Sequence, residues 1–320
     1  MSKYRVLLTD YAWPDLNIER TVLDQYDAEL VVSPDREMHT LQRLAADCDA
    51  IMTNWSDVPA ELIDACPNCQ IIARLGIGLD NIDVEHATER GIPVTNVPDY
   101  CLIEVAEHTL ALLLALARKI GIYHANTLAN KYDLAAGFPL RRIEGQTLGI
   151  VGLGQIGRRV AAKARCLGLK VMATSRSSRE PHPHIIWTDL DELLAESDFV
   201  SLHVPLKPET RHIIAAPQLA RMKPSAFLIN TSRGGLVNHA ALAAALANNA
   251  LAGAALDVQE REPCDLSQPP YNDPRVIVTP HAAFYSEESV AELRRRVAHQ
   301  VGKRLTGSQP EHVVNNVDWA

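Results

Sequence analysis

The 320-residue sequence predicts an α/β protein that contains two doubly wound parallel sheets. The first observation is that short β-branched runs alternate with amphipathic helical stretches, which is the pattern of βαβ units. The second is that two such series follow one another, and each is long enough to form its own sheet. The third is a composition of 47% apolar and 22% charged residues, which is typical of a globular protein of about two domains.

The first series of elements covers about the first hundred residues. Its predicted strands are the segments YRVLLTD, AELVVS, DAIMTN, QIIARLG and IPVTNV. Its predicted helices lie at 18–25, 40–46, 60–65 and 84–90. Together these elements make one small, complete sheet with its helices.

The second series begins at QTLGIVGLG and continues with KVMATS, DFVSLHVP, AFLINTS, LAGAALDV and RVIVTPH. A predicted helix at 102–119 joins the two series. A further predicted helix at 287–305 follows the last strand and can return to the first domain. Because open α/β sheets bind ligands beyond the carboxyl ends of their strands, we expect the ligand site in a crevice between the two sheets.

Charge and composition exclude several classes of function. A net charge of −8 argues against a nucleic-acid or anionic-membrane surface. The start MSKYRVLLTD does not resemble a secretory signal, and the apolar run 109–117 is too short to span a bilayer. Only Cys66 and Cys69 form a CxxC pair, so we expect no metal site, and a redox role is a minor alternative to reduced thiols in a cytoplasmic protein.

The strongest local motif is the glycine-rich segment that follows the strand QTLGIV. Gly152, Gly154 and Gly157 give the pattern GxGxxG between a strand and a helix, with Gln155 and Ile156 inside it. The first glycine permits a tight turn, the second a close approach to a pyrophosphate, and the third close packing of helix on strand. The helix start also offers N–H groups to phosphates, so the motif predicts a dinucleotide site rather than an ordinary turn.

Three polar residues follow later strands of the second series. Arg233 comes after AFLINTS, Asp257 ends LAGAALDV, and His281 follows RVIVTP. Singly, they are equally consistent with a surface cation, a cap and a strand-end histidine. Together at one sheet edge they indicate a site. Glu262 precedes His281 by nineteen positions and can fold back onto its imidazole.

The segments INTSRGGLV, ALDVQEREP and VTPHAAF, in this order behind GIVGLGQIG, closely resemble the NAD(P)-dependent D-2-hydroxyacid dehydrogenases. The resemblance covers nearly the whole chain and includes RLGIGLDNIDVEHATERGIPVTNVP and LHVPLKPETRHII. The segments TPHAAFYSEES and VPDYC are most similar to the branch that contains the C-terminal binding protein corepressors and the glyoxylate/hydroxypyruvate reductases. The resemblance implies a flavodoxin-like substrate domain at 1–97 plus 287–320 and a Rossmann cofactor domain at 98–286. It also implies a homodimer formed through the helix after Tyr100.

The resemblance assigns catalytic roles to three residues. Arg233 is expected to bind the substrate carboxylate and polarise the carbonyl group, His281 to act as acid and base, and Glu262 to pair with His281. The chemistry agrees, since hydride transfer to a 2-keto acid develops charge on an oxygen that needs a proton donor and a fixed cation. A carboxylate beside an imidazole favours its charged form.

Further residues match binding positions of the family. The backbone of Gly76, Ile77 and Gly78 is expected to hold the substrate carboxylate, although the same residues are consistent with a simple tight turn. The cofactor positions that match near the nicotinamide and along the adenosine are Thr231, Asp257, His203, Val204, Pro205 and Thr210.

The segment IMTNWSDVP narrows the substrate. Phosphoglycerate dehydrogenases of this family have an Arg in the loop after the third strand, where this sequence has Thr53, Asn54 and Trp55. With no regulatory domain expected after His281, we favour small keto acids such as glyoxylate, hydroxypyruvate or pyruvate over a phosphoglycerate substrate. Trp55 and Tyr100 are candidates either for the pocket or for the core. A dinucleotide-sensing binding protein, similar to the corepressors, is the alternative from another functional class.

The segment TSRSSR at 174–179 bears on the cofactor. An NAD-binding version of the motif has an acidic residue at the end of the second strand, and none lies between 170 and 179 here. Ser175, Arg176 and Arg179 offer a hydroxyl and two guanidinium groups where a 2′-phosphate would lie. The sequence therefore predicts a preference for NADP(H), with NAD(H) possible and a solvated surface loop as the alternative interpretation.

Overall fold

A computed structural model describes residues 2–176 and 182–317 of the protein. The chain forms two compact units, one built from the chain up to Tyr100 and from Ser286 onward, the other from Cys101 to Tyr285. Each unit contains a parallel sheet with helices, so the predicted α/β class with two parallel sheets is confirmed.

The first unit is organised around a five-stranded sheet in the described part of the chain. Its strands are β1 (Tyr4–Leu8), β2 (Ala28–Val32), β3 (Ala50–Thr53), β4 (Ile72–Arg74) and β5 (Val94–Thr95). They pair in parallel in the order β2-β1-β3-β4-β5, which is the flavodoxin-like order. The helices of its amino-terminal part are α1 (Asn17–Asp24), α2 (Met38–Ala45), α3 (Ala60–Asp64) and α4 (Val84–Glu89).

A buried ion pair ties the last helix, Glu287–Leu305, to α1 of the same unit. Arg294 donates to both carboxylate oxygens of Glu19 at 2.8 Å, and both residues are buried. The guanidinium also lies over the ring of Trp13, with its carbon 5.3 Å from the ring centroid. The helix begins at a capping box in which Ser286 and Ser289 exchange side-chain hydrogen bonds with each other's backbone N–H.

The second unit contains a seven-stranded parallel sheet within residues 101–176 and 182–285. Its strands are β6 (Thr147–Val151), β7 (Lys170–Thr174), β8 (Ile186–Trp187), β9 (Phe199–Leu202), β10 (Phe227–Asn230), β11 (Gly253–Leu256) and β12 (Val276–Val278). The helices are α5 (Leu102–Ala117), α6 (Ile120–Leu128), α7 (Gln155–Cys166), α8 (Leu190–Glu196), α9 (Ala216–Leu219) and α10 (His239–Ala247).

The strand order of this sheet is β12-β11-β10-β9-β6-β7-β8, a Rossmann order extended by one strand. The direction of winding reverses between β6 and β9, so the carboxyl ends of these strands lie at the topological switch point. The largely apolar helix α5 packs against α7, β10 and β11 and is buried along much of its length. The sheet therefore holds the loops after β6, β9, β10, β11 and β12 along one edge.

The segment that follows α5 was not assigned an element from the sequence, and the structure contains α6 and a 3₁₀ turn at Leu134–Gly137 there. Leu128, Tyr132, Leu134 and Phe138 are exposed. We call residues 120–138 the arm. Although α6 is apolar, none of its residues is buried.

Neither a membrane-spanning helix nor a metal site was expected from the sequence. In residues 2–176 and 182–317 no helix is long and apolar enough to cross a membrane, and no group of His, Cys, Asp and Glu could hold a metal ion. Cys66 and Cys69 are thiols, and a hydrogen bond that the Cys66 thiol makes to Cys69, together with burial, raises the pKa of Cys66. Because thiolate is the reactive form, this arrangement disfavours redox reactivity at the CxxC pair.

Candidate active site

The glycine-rich loop joins β6 to α7 at the switch point. Gly152 has a φ of +98°, and a Cβ there would lie 2.7 Å from the carbonyl oxygen of His203. A Cβ on Gly157 would lie 2.4 Å from the oxygen of Gly152, so helix and strand meet without room for a side chain. A Cβ on Gly154 would meet nothing within 4 Å. This open face at the start of a twelve-residue helix fits the close approach of a pyrophosphate.

The segment after β9 forms the neighbouring wall of the glycine loop. The backbone N–H of His203 donates to Val151 at 2.8 Å, and burial lowers the pKa of the His203 imidazole to about 4. The methyl group of Val204 lies where a Cβ on Gly152 would project. Thr210 is buried, and its hydroxyl donates to the oxygen of Pro205 at 2.7 Å. Thr210 therefore shapes the loop that carries Val204 and Pro205.

The end of β7 carries the residues that bear on cofactor preference. Ser175 is partly buried, and Arg176 is exposed and pairs with Glu209 at 3.1 Å. A hydrogen bond from its own backbone N–H and the Arg176 guanidinium lower the pKa of Glu209. Arg179 lies outside the described residues. No sequence pattern indicates that an acid 33 positions away contacts Arg176.

His281 and Glu262 form the central pair of the site. His281 Nδ1 lies 2.8 Å from Glu262 Oε2, and both side chains are partly exposed. The backbone N–H of Gln259 donates to Glu262 Oε1 at 2.9 Å. Burial alone would raise the pKa of Glu262, but the hydrogen bond and charge of His281, the Gln259 N–H and the charge of Arg233 together lower it. Since Nδ1 faces a carboxylate, Nε2 is the ring nitrogen left for a substrate.

The Arg233 loop packs tightly against the loop that carries Glu262. A Cβ on Gly234 would lie 2.0 Å from the backbone of Gln259, so only glycine permits this approach. Asn230 accepts from the N–H of Ser232 and donates to the oxygen of Arg233 at 2.9 Å, which fixes the turn after β10. The structure thus brings the loops of Arg233, Glu262 and His281 together at one edge of the second unit.

Asp257 organises the loop that carries His281. Its fully buried carboxylate accepts from the hydroxyl of Thr279 at 2.6 Å and from the N–H groups of Ala282 and Ala283 at 2.9 and 3.0 Å. Its backbone oxygen accepts from the N–H of His281 at 2.8 Å. His281 itself has a φ of +53°, in the left-handed region that non-glycine residues seldom adopt.

Two residues of α5 reach this edge and were not singled out from the sequence. His108 Nε2 lies 3.1 Å from the hydroxyl of Thr279 and 3.5 Å from Asp257 Oδ1. Thr109 donates to the oxygen of Val105, so its hydroxyl oxygen accepts from Thr231 at 2.9 Å. A histidine in an apolar helical run has no distinctive signal, because its partners lie about 150 or more positions further along the chain.

In the first unit, the predicted substrate loop Gly76–Gly78 follows β4. Its carbonyl groups are anchored, since Gly76 accepts from the N–H of Val97 at 3.1 Å and Ile77 from the side chain of Asn96 at 2.7 Å. A Cβ on Gly76 would lie 2.9 Å from the guanidinium of the buried Arg74.

The loop after β3 is held by the carboxylate of Asp10, which accepts the N–H groups of residues 54–56 at 2.9–3.1 Å. Burial would raise the pKa of Asp10, but these three hydrogen bonds lower it. Arg36 pairs with Asp10 at 3.2 Å and lies over the ring of Trp55. Tyr100 is buried. A guanidinium therefore lies beside this loop, although the loop itself contains no Arg.

Residues 110–283 match the model of the D-isomer specific 2-hydroxyacid dehydrogenase NAD binding domain. The chain belongs to this family. It is 40% identical over 277 residues to the glyoxylate reductase of Korarchaeum cryptofilum, covering 84% of this chain and 83% of that protein. It is 36% identical over 309 residues to the hydroxypyruvate reductase of Thermotoga maritima, covering 95% and 98%. It is also 38% identical to the D-3-phosphoglycerate dehydrogenase of Mycobacterium tuberculosis, of which it spans about half.

Solved structures agree with the family assignment. A glyoxylate reductase from Paecilomyes thermophila has a TM-score of 0.87 at 29% identity, covering 98% of this chain and 99% of that one. An acyclic imino acid reductase in complex with NADPH and D-Arg has a TM-score of 0.86 at 27% identity, covering 97% and 100%. A D-lactate dehydrogenase from Aquifex aeolicus with NAD and lactic acid has a TM-score of 0.86 at 28% identity, covering 95% and 96%.

The His281–Glu262 contact predicts a pH effect. In Glu262→Gln the neutral amide no longer favours the imidazolium, so His281 gives up its proton at lower pH. Oxidation of a 2-hydroxy acid needs the neutral imidazole, and the acidic limb of its pH–rate profile is therefore expected to move down by on the order of one pH unit. Glu260→Gln is the matched control, because Glu260 contacts His212 at a similar 2.7 Å. An acidic limb that does not move in Glu262→Gln would contradict the pairing of Glu262 with His281.

Proposed function

We propose that the protein reduces small 2-keto acids to D-2-hydroxy acids with a nicotinamide cofactor, and that glyoxylate or hydroxypyruvate is the substrate class. The observation that carries the proposal is the His281–Glu262 pair beside the Arg233 loop, at the same sheet edge as the glycine-rich loop. The names of the glyoxylate and hydroxypyruvate reductases among the relatives support it. The proposal includes a cytoplasmic location, in keeping with six cysteines that form no disulfide.

A bound nicotinamide cofactor supplies the hydride. His281 donates the proton of Nε2 to the carbonyl oxygen as negative charge develops there, and the Arg233 guanidinium stabilises that charge and binds the carboxylate. Glu262 holds the ring through Nδ1 and favours its protonated form. In oxidation, neutral His281 takes the hydroxyl proton.

The proposal assigns cofactor binding to loops of the second unit and part of substrate binding to a loop of the first. Gly152, Gly154, Gln155, Ile156 and Gly157 hold the pyrophosphate through the loop backbone and the start of α7. Thr231 and Asp257 would hold the nicotinamide end of the cofactor, and the segment His203–Pro205, shaped by Thr210, would hold its adenosine. In the first unit the backbone N–H groups of Gly76, Ile77 and Gly78 bind the substrate carboxylate, since the carbonyl groups of Gly76 and Ile77 are anchored internally.

One observation favours phosphoglycerate as a second candidate substrate. The loop after β3 contains no Arg of its own. The half-exposed side chain of Arg36 nevertheless places a guanidinium beside this loop. Steady-state assays with glyoxylate, hydroxypyruvate, pyruvate and 3-phosphohydroxypyruvate separate the two candidates by kcat/KM. Cofactor binding without turnover of any keto acid would instead support the dinucleotide-sensing alternative.

The proton-transfer role predicts the kinetics of two variants. His281→Ala is expected to lose about 10²–10⁴-fold in kcat while it retains cofactor affinity, because it removes the proton donor and leaves the glycine-rich loop intact. Arg233→Ala is expected to raise KM as well, since one guanidinium serves both carboxylate and carbonyl. Turnover of His281→Ala near that of the wild type, measured where product release does not limit the rate, would refute the role.

The arm supports a proposed homodimer, in which it packs on a second copy together with α5. Leu128, Tyr132 and Phe138 are 73%, 99% and 63% exposed, which is unusual for large apolar side chains in one segment. Sedimentation of the wild type is expected to give the dimer mass, and the double variant Leu128→Asp/Phe138→Asp the monomer mass. Ile186→Asp, at a 56% exposed apolar residue outside the arm, is the control and is expected to remain dimeric. A monomeric wild type would refute the proposal.

The preference for NADP(H) gives a paired prediction at Arg176 and Glu209. A hydrogen bond to a charged group is worth about 1.5–3 kcal/mol, so Arg176→Ala is expected to weaken NADPH binding about ten- to a hundredfold and to leave NADH binding nearly unchanged. Glu209→Gln is expected to tighten NADPH binding, because the carboxylate competes with a 2′-phosphate for the same guanidinium. Fluorescence titration of both reduced cofactors measures these affinities.

Asp191→Asn is the control for the Glu209 substitution. Asp191 forms a comparably exposed pair with Arg221 at 3.0 Å, and its loss is expected to change neither affinity. Tighter binding of NADH than of NADPH by the wild type would overturn the cofactor assignment.

A further inference from the structure

The contacts of His108 connect α5 to the loop that carries His281. The hydroxyl of Thr279 donates to Asp257 Oδ1 at 2.6 Å, so its oxygen is left to accept from His108 Nε2 at 3.1 Å. Because the Thr279 hydroxyl uses its proton on Asp257, His108 must be the donor to Thr279, and in its neutral form it therefore carries its proton on Nε2. The same N–H faces Asp257 Oδ1 at 3.5 Å.

Asp257 needs such donors because its carboxylate is fully buried. Within residues 2–176 and 182–317, His108 is the one basic side chain within 4 Å of that carboxylate. The other donors are Thr279, Ala282 and Ala283, all of which belong to the loop itself. His108 therefore contributes the contact from outside the loop.

The backbone of His281 makes the loop dependent on these contacts. A φ of +53° is unfavourable for a residue with a Cβ and persists only where the surroundings impose it. The N–H of His281 donates to the backbone oxygen of Asp257, and the next two N–H groups donate to its carboxylate. The position of Asp257 thus sets the direction in which the imidazole projects toward Glu262.

We propose that His108 is a positioning residue for His281, acting through Thr279 and Asp257. The role rests on the proposed acid–base function of His281. His108 does not touch the reacting atoms in this proposal; it holds the acceptor that shapes the catalytic loop, and it ties that loop to a buried helix.

His108→Leu and His108→Gln test the proposal. The leucine keeps the apolar bulk and removes the donor, and the glutamine restores an N–H donor of similar reach. The loss of a hydrogen bond to a neutral hydroxyl predicts that His108→Leu lowers kcat about three- to tenfold, with cofactor affinity within about twofold of the wild type. The basic limb of the reduction profile is expected to move to lower pH, because a loosened loop weakens the His281–Glu262 contact. His108→Gln is expected to recover most of kcat and the original limb.

His299→Leu is the matched control, since His299 also contacts a hydroxyl, that of Tyr26 at 3.1 Å, but in the first unit. Equal loss in His108→Leu and His108→Gln with an unmoved limb would show that His108 only fills space and would overturn the proposal. So would a kcat of His108→Leu that stays within about twofold of the wild type.

Amide hydrogen exchange separates this proposal from the proposed function. The N–H groups of residues 281–283 are expected to exchange faster in His108→Leu than in the wild type or His108→Gln, whether or not the wild type turns over a keto acid. Absence of turnover with accelerated exchange would refute the reductase and leave the positioning contact standing. Unchanged exchange would refute the positioning contact, whatever the activity.

Discussion

The buried carboxylate of Asp257 is the constraint on which the arrangement of the candidate site depends. A carboxylate removed from water is costly unless hydrogen-bond donors surround it, and here the donors are the hydroxyl of Thr279 and the N–H groups of Ala282 and Ala283. Satisfying the carboxylate therefore also folds the loop after β12. His281 occupies the centre of this loop, and its unusual φ follows from the contacts on both sides of it.

The second requirement is close approach of backbone segments along the sheet edge. Gly234 lets the Arg233 turn meet the Gln259 backbone, and Gly157 lets α7 meet the end of β6. At both positions a Cβ would overlap backbone atoms, which cannot rotate away as a flexible side chain can. These glycines determine how near the cation, the carboxylate and the phosphate-binding loop can come to one another within the second unit.

Much of this was predictable from the sequence, because the signals are local. Short β-branched runs predicted the strands of both sheets except the two-residue β8, and glycine spacing between a strand and a helix predicted the loop after β6. The His281–Glu262 contact, implied by the family resemblance, lies at 2.8 Å. Contacts that depend on packing were missed: Glu209 at Arg176, Arg36 over Trp55, and His108 at Thr279 join residues from separate elements. The exposed helix α6 was missed because it has no polar face to mark its period.

Helix α5 connects the loop that carries His281 to the exposed arm. Most of its apolar side chains are buried, and it packs against α7, β10 and β11, so it can shift only by disturbing close-packed neighbours. In its first half His108 contacts the loop of His281, and its end leads directly into the exposed arm. If a second copy covers the arm, as proposed, the position of α5 is set by that contact as well as by its own sheet, and assembly of the dimer then bears directly on the geometry of the catalytic loop.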